Sequence, residues 1–201
     1  PDEADDRLLE AMASHDNICK YLDLPIQHIN DTLLRRMNRR GTAADIRRIL
    51  KKARDMGFTL RTSLIVGFPG ETEEQFQELM DFVAEARFDR MGAFAFSPEE
   101  NTPAAEMPDQ IPEEVKQERL DRLMKLQAQI SLENNQARIG TVEKVLVTDA
   151  RDGLFLGRSQ REAPDADGAI VFTAKEAPEV GSFVQVRITG AETYDLKGER
   201  L

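Results

Sequence analysis

Three strand-like runs, each followed by a turn and a helical pattern, constrain the fold of this chain more than any other feature. The runs are CKYLDL at 19–24, FTLRTSLIV at 58–66 and DRMGAFAFS at 89–97. Strands that alternate with helices are typical of βαβ units, in which the strands run parallel within one sheet. The sequence therefore predicts an α/β fold for the N-terminal half.

Helix-start signals lie between these runs, as that interpretation requires. Asn30 or Asp31 is expected to cap a short helix, and Thr42 to open a longer one that ends at Gly57. In T72-E-E-Q75 a threonine can accept the amide three residues on while the glutamine returns a bond to the cap. Each predicted helix thus begins or ends at a residue suited to that position.

The sequence after about residue 104 has a different pattern. Pro112 suits the first turn of a helix that runs to about residue 138, and we expect this helix to pack as a linker on the preceding domain. Its apolar residues are Leu120, Leu123, Met124 and Ile130, which suit one face.

From Gly140 onward the chain reads as short strands broken by DG, PDADG and EVG turns. About five strands in some sixty residues predict a small closed barrel. Phe155, Phe172, Phe183 and Tyr194 could stack on nucleic-acid bases, but we expect most of them in the barrel core.

Composition excludes several classes of protein. The chain has 201 residues, of which 40% are hydrophobic and 32% charged, as in ordinary globular proteins, and no apolar run is long enough to cross a membrane. We therefore expect a cytoplasmic protein. A net charge of -10 disfavours duplex nucleic acid and anionic membranes as partners. The single cysteine, Cys19, can form neither an internal disulfide nor a cluster site alone.

The ends of the predicted strands form the candidate site. They read P25-I-Q-H28, G67-F-P-G-E71 and S97-P-E-E-N-T-P103. In parallel α/β folds ligands bind at the carboxyl ends of the strands. Gly67 and Gly70 would let a flat ligand approach the backbone, although a tight strand-to-helix turn also needs such residues.

Several blocks in order resemble the radical S-adenosylmethionine (SAM) methylthiotransferase family. They are YLDLPIQHINDTLLRRMNRRGT at 21–42, RTSLIVGFPGETEEQF at 61–76, RFDRMGAFAFSPEENTPAA at 87–105, and a C-terminal region similar to a TRAM domain. The resemblance implies an α/β fold, a partial TIM-like radical SAM (β/α) barrel, followed by a small all-β, OB-like TRAM barrel. The implied segments are 1–110 for the barrel, 111–138 for the linker helix and 139–201 for the TRAM domain.

The resemblance also implies cofactors and site residues. The family uses SAM and two 4Fe-4S clusters, whose cysteine ligands are not in this chain, and we assign no catalytic or metal-binding residue to it. The expected cofactor-binding residues are Gln27, His28, Arg61, Ser63, Gly67, Glu71, Phe96 and Ser97. Among them, Arg61 is expected to meet a carboxylate of the cofactor or of the substrate.

Within the family, the chain most resembles the branch that methylthiolates the β-carbon of an aspartate in small-subunit ribosomal protein twelve. The discriminating features are YLDLPIQH, RFDR and the paired Glu99 and Glu100. Asn101 replaces the usual glycine, and we expect it to keep a left-handed turn. A branch that modifies an adenosine in transfer RNA is the alternative. A non-enzymatic acidic module that binds a basic ribosomal protein is another.

Charge favours the protein substrate over RNA. From residue 140 to the end there are 8 Lys and Arg against 11 Asp and Glu, a net charge of 8 − 11 = −3, whereas an RNA-binding barrel is usually basic. We expect a monomer that acts on a basic ribosomal protein. Because the cluster cysteines and the first barrel strands of the family are not in this sequence, we expect it to be part of a longer polypeptide and inactive alone.

Overall fold

The computed structural model describes residues 4–201, so the first three residues of the predicted barrel segment lie outside the described residues. The chain divides into two compact units. Unit 1 is Pro1–Ile18 with Leu22–Gln127, and unit 2 is Cys19–Tyr21 with Ala128–Leu201.

The predicted alternation of strands and helices is confirmed. The elements are α1 (Asp6–Ala13), β1 (Tyr21–Asp23), α2 (Asp31–Arg36), α3 (Ala43–Asp55), β2 (Thr59–Val66), α4 (Glu73–Ala86), β3 (Arg90–Ala95) and α5 (Glu113–Gln136). Strand β1 is shorter than the run that predicted it, but its extension still pairs with β2, because the Leu24 N–H donates to the Arg61 carbonyl (2.9 Å).

The three strands form one sheet in the order β1-β2-β3. Strands β2 and β3 are parallel, with Arg61 opposite Arg90 and Val66 opposite Ala95, and Gln27 forms a parallel bridge with Leu64. All three strands therefore end at the same edge of the sheet. Along β2 the side chains alternate between buried and half-buried positions from Leu60 onward.

Side-chain caps fix the helix starts as predicted. Asn30 caps α2, while Thr42 and Thr72 each form a complete capping box at the start of α3 and α4. The turn at Asn101 is left-handed, with φ 63°, as expected for the asparagine there. Helix α4 ends at Arg87 with φ 47°, a left-handed cap without glycine that the sequence does not signal.

The buried face of helix α5 contains polar as well as apolar residues, so hydrophobic periodicity predicted only part of it. Leu123 and Ile130 are buried, whereas Leu120 and Met124 are half-buried. The other positions of the buried face in unit 1 are polar: Lys116, Arg119 and Gln127. The boundary between the two units falls within this helix, after Gln127.

Unit 2 contains the predicted closed barrel. Its strands are β4 (Val142–Arg151), β5 (Leu154–Arg158), β6 (Ile170–Thr173), β7 (Phe183–Ala191) and β8 (Leu196–Arg200), in the closed order β4-β5-β6-β8-β7. The core consists of Val145, Val147, Phe155, Ile170, Phe172, Val184, Val186, Ile188 and Leu196.

Two of the four aromatic residues singled out in this region lie in that core. The rings of Phe155 and Phe172 pack with centroids 5.7 Å apart, as expected. Phe183 and Tyr194 are 60% and 50% exposed, so half of the four residues, and not most of them, lie in the core. Among the described residues, no helix has the length and apolar character needed to cross a membrane.

Candidate functional site

Backbone hydrogen bonds bring the three strand ends together. The Gln27 N–H donates to the Ser63 carbonyl (3.0 Å), and the Ile65 N–H donates to the Gln27 carbonyl (2.8 Å). On the other side of β2, the Phe96 N–H donates to the Val66 carbonyl (2.9 Å). The candidate residues at the ends of β1, β2 and β3 are therefore neighbours, as the parallel pattern predicted.

Gln27 adopts a backbone conformation that side chains rarely take. Its φ is 69°, in the left-handed region, although it is neither glycine nor asparagine. Such conformations are held in place by the surrounding structure and occur often at functional sites. The sequence indicated Gln27 only by its position at a strand end. The left-handed backbone conformation of Gln27 is visible only in the structure.

The segment Gly67–Glu71 closes on itself. Gly67 and Gly70 have φ values of 73° and 75°, and the Gly67 N–H donates to Glu71 Oε1 (3.0 Å). The Glu71 N–H in turn donates to the Phe68 carbonyl (2.9 Å). The loop is thus a compact turn between β2 and α4, with its carboxylate folded inward.

Side chains from other elements also lie beside the two glycines. A Cβ atom at Gly67 would lie 2.2 Å from Lys116 Cγ, and one at Gly70 would lie 2.2 Å from Arg36 Nη1. The space that a Cβ would need is therefore filled by protein at both positions. Contact between a ligand and this loop stays a prediction. Such a ligand would have to approach the backbone from a side other than the one where Lys116 and Arg36 lie.

His28 and Glu71 form a buried polar cluster with Arg119. Glu71 Oε1 accepts a hydrogen bond from Arg119 Nη1 (2.8 Å), and the same nitrogen donates to the Glu71 carbonyl (3.1 Å). His28 Nε2 lies 3.5 Å from Glu71 Oε2, and both side chains are fully buried. A buried carboxylate requires such a partner, because an unpaired charge is costly to bury.

The tautomer of His28 follows from its other neighbour. The Asn30 N–H donates to His28 Nδ1 (2.9 Å), so that nitrogen carries a lone pair and the ring proton lies on Nε2. The Nε2–H group then faces Glu71 Oε2. In this structure His28 and Glu71 therefore contact protein groups, and their predicted contact with a cofactor stays a prediction.

The end of β3 is held by α5. Lys116 Nζ donates to the Phe96 carbonyl (2.9 Å), and Lys116 itself is buried. The rings of Phe68 and Phe96 meet edge to face with centroids 5.1 Å apart. Phe96 is half-buried and Ser97 exposed, and this contact places Phe96, one of the expected cofactor-binding residues, next to the Gly67–Glu71 loop.

Arg61 and Ser63 lie on the half-buried face of β2. Arg61 pairs with the Asp23 carboxylate on β1. It precedes Val66 by five positions, which is about 17 Å along an extended strand. The structure thus gives Arg61 a protein carboxylate as partner, and the expected contact with a ligand carboxylate stays a prediction.

The same face of the sheet has apolar surface near the strand ends, next to the residues predicted to bind the cofactor. Ile65 is half-buried, and its partner in the register, Phe94, is 60% exposed. Gln27 and Ser63 lie beside them on β2 and its neighbour. An apolar surface bordered by amide and hydroxyl groups suits a flat, partly polar ligand.

No metal centre can be assembled from the described residues. Within 4–201, no group of three or more His, Cys, Asp or Glu side chains is placed to bind a metal ion. Cys19 is exposed and is the only cysteine in the sequence. These residues do not fit an iron-sulfur cluster.

A second buried ion-pair network lies in unit 2. Arg138 binds Glu143 through Nε (2.9 Å) and Nη2 (2.7 Å), and Glu162 through Nη1 (2.6 Å). Burial would lower the pKa of Arg138, but both carboxylates outweigh it and raise that pKa. Burial would likewise raise the pKa of Glu143, yet Arg138 holds it below its ordinary value. The sequence did not predict this network.

Family models match both parts of the chain. Residues 1–83 match the radical SAM superfamily, and residues 139–201 match the TRAM domain. Among solved structures, coproporphyrinogen III oxidase from Escherichia coli, described as a radical SAM enzyme, aligns with 76% of this chain and 43% of its own at a TM-score of 0.53. The sequence identity is 19%, so this likeness shows the fold alone.

Curated relatives match nearly the whole chain. A ribosomal protein uS12 methylthiotransferase from Geobacter sulfurreducens is 52% identical over 99% of this chain and 45% of its own length. Proteins of the same name from Desulforamulus reducens and Heliobacterium modesticaldum are 50% and 52% identical over 99% and 96% of this chain, and 46% and 43% of their own. The chain thus spans less than half the length of these relatives.

Three findings indicate the same family: the order of the two matched domains, the parallel sheet of unit 1 and the identity to these relatives. The chain belongs to the radical SAM methylthiotransferase family.

Proposed function

We propose that this chain is part of an enzyme that methylthiolates the β-carbon of an aspartate in ribosomal protein uS12. The observation that supports this most directly is the identity of about half over nearly the whole chain to uS12 methylthiotransferases. Because the chain spans about 45% of those relatives, the activity is proposed for the complete gene product.

The role proposed for this chain is to bind and orient SAM at the strand ends. Ile65 and Phe94 would contact the adenosyl group, with Gln27 and Ser63 beside it. Phe96 and Ser97 would border the site on the side of β3. His28 and Glu71 would hold the neighbouring loop through the contacts described above. Bound there, SAM would supply the radical that removes hydrogen from the target carbon, as the family resemblance implies.

The cluster ligands are proposed to come from residues other than those of this chain. The family resemblance implies two 4Fe-4S clusters, and Cys19 cannot supply the thiolates that either needs. The contribution of this chain would be to position reactants and exclude water from the reaction.

Charge supports a basic protein as the substrate. The net charge of −3 over residues 140–201 would attract a basic ribosomal protein and disfavour RNA. We further propose that the gene product is a cytoplasmic monomer.

The test is a reaction of the complete gene product, reconstituted with iron and sulfide and given SAM and a reductant, with purified uS12 or with transfer RNA. Mass spectrometry should find a methylthio group on one aspartate of uS12 and none on adenosine. A uS12 variant with asparagine at that position is the matched control. Modification of transfer RNA alone would reject the proposed substrate, and modification of neither would reject the proposed activity.

The chain by itself provides a second test. The 201-residue chain, treated with iron and sulfide and given SAM and a reductant, should release no deoxyadenosine. Release of deoxyadenosine would show that the chain holds a functional cluster and would overturn the assignment of cluster ligands to other residues.

A further inference from the structure

The first half of α5 presents buried cations to the strand ends. Lys116 and Arg119 are 7% and 5% exposed, one helical turn apart on the same face. Lysine and arginine are almost never buried to this extent unless they are paired. Lys116 pairs with Glu113 one turn earlier on α5 (2.6 Å), and both cations have further partners at the strand ends.

Lys116 takes the place of a missing strand partner. In a parallel ladder a residue donates its N–H and accepts at its carbonyl on the same neighbouring strand, so the Phe96 carbonyl would accept from the amide two positions beyond Val66. Gly67 turns the chain away with φ 73°, and Lys116 Nζ donates to the Phe96 carbonyl instead (2.9 Å). The aliphatic stem of Lys116 lies in the space beside Gly67. One side chain thus contacts the ends of both β2 and β3.

Arg119 holds the other end of the same loop. Its Nη1 donates to the carbonyl and to the carboxylate of Glu71, and that carboxylate accepts the Gly67 N–H. The Arg119 guanidinium also lies 5.5 Å from the centre of the Phe76 ring on α4. Gly67 and Glu71, the first and last residues of the loop, are therefore both held by α5.

We propose that Lys116 and Arg119 are positioning residues that set the spacing of the β2 and β3 ends for SAM binding. The inference rests on the proposed function. Neither residue is expected to touch the cofactor. Without the Lys116 ammonium, the Phe96 carbonyl loses its partner and the Phe68–Phe96 contact loosens. SAM then has to order the loop as it binds, which weakens its affinity.

The experiment compares K116M with K125M. Methionine keeps much of the stem that packs on Gly67 and removes the ammonium. Lys125 is the matched control, because it lies on the same helix, is 75% exposed and pairs only with Asp121 among the contacts described. Two measurements are made: amide hydrogen exchange of Gly67 and Phe96 in the 201-residue chain, and equilibrium SAM binding to the reconstituted complete gene product.

The expected result is local and specific. K116M should speed exchange at Gly67 and Phe96 and weaken SAM binding about tenfold, the equivalent of one lost hydrogen bond. K116R, which keeps a cation, should recover most of the affinity, and K125M should match the wild type. Binding is measured well below the unfolding temperature, so that a loss of stability alone leaves the affinity unchanged.

Each other outcome contradicts a different claim. Wild-type protein that fails to bind SAM would reject the proposed function. Wild-type binding with unchanged affinity in K116M would reject the positioning role and leave the proposed function intact. If K116M does not fold, R119K replaces it, because a lysine keeps the charge but its shorter side chain does not place a nitrogen where Arg119 Nη1 donates to the carbonyl and the carboxylate of Glu71. Unchanged SAM affinity in folded R119K would then overturn the inference.

Discussion

The barrel of unit 2 and the strand ends of unit 1 are filled in opposite ways. Nine aliphatic and phenylalanine side chains form the barrel core. At the strand ends a histidine, a glutamate, an arginine and a lysine are buried beside apolar residues such as Val66 and Phe68. An apolar core is stabilised by the area removed from water and accepts many arrangements of similar volume. Buried charges are stable only with partners in one geometry, so they determine where a loop lies.

The largest effect is expected from breaking the charged cluster of unit 1. R119M should leave the Glu71 carboxylate buried without its cation and lower the free energy of unfolding of unit 1 by about 3–5 kcal/mol. R122M is the control, because Arg122 is 35% exposed and its pairs with Glu73 and Glu118 should contribute less than about 1 kcal/mol. Amide exchange in unit 1 measures both.

A double variant sharpens the same comparison. E71Q with R119M removes both charges and should be less destabilised than the sum of the two single variants, because no unpaired charge remains. Strict additivity of the two free-energy changes would show that Glu71 and Arg119 are not coupled.

An apolar truncation in unit 2 should have a slightly smaller effect. F172A creates a cavity in the barrel core and should cost about 3 kcal/mol, measured by denaturant unfolding. F172L, which fills much of the volume, should cost less. If both variants were neutral, the barrel would not depend on its packed core.

The ion pairs of Arg138 with Glu143 and Glu162 predict that the stability of unit 2 depends on pH. The pKa of Glu143 is lowered in the folded protein, so its pairing stabilises unit 2 above the ordinary glutamate pKa and this contribution is lost as pH falls through the folded value. E143Q should cost about 1 kcal/mol at neutral pH. The difference between wild type and E143Q should shrink as pH falls below the ordinary glutamate pKa of about 4.3 and through the lowered pKa of folded Glu143. A difference that stays constant over that range would contradict the assigned cause.

The smallest effect is expected at the barrel surface. Phe183 is 60% exposed, with Lys144 Nζ 4.5 Å from the centre of its ring. F183A should lower the free energy of unfolding by about 0.5 kcal/mol. A loss as large as that of F172A would mean that Phe183 belongs to the core after all.

The sequence was informative where a local pattern controls the structure. The Thr42 and Thr72 caps and the barrel of unit 2 follow from short-range chemistry and from alternation of apolar residues, and the structure confirms them. Lys116 and Arg119 were missed because apolar periodicity does not register a buried cation. Lys116, Arg119 and Leu123 are three and four residues apart, which places them on one face of α5. This spacing alone does not show whether the polar residues of that face are buried or exposed.

The sequence by itself determined the order of elements, their parallel arrangement and the edge at which the candidate residues meet, because caps, periodicity and glycine turns act over a few residues. Only the tertiary structure decided what surrounds those residues. Lys116 fills the space beside Gly67, and Arg119 turns Glu71 inward, from positions about fifty residues away along the chain. Contacts between such distant residues depend on how the helices pack on the sheet, which no local pattern records.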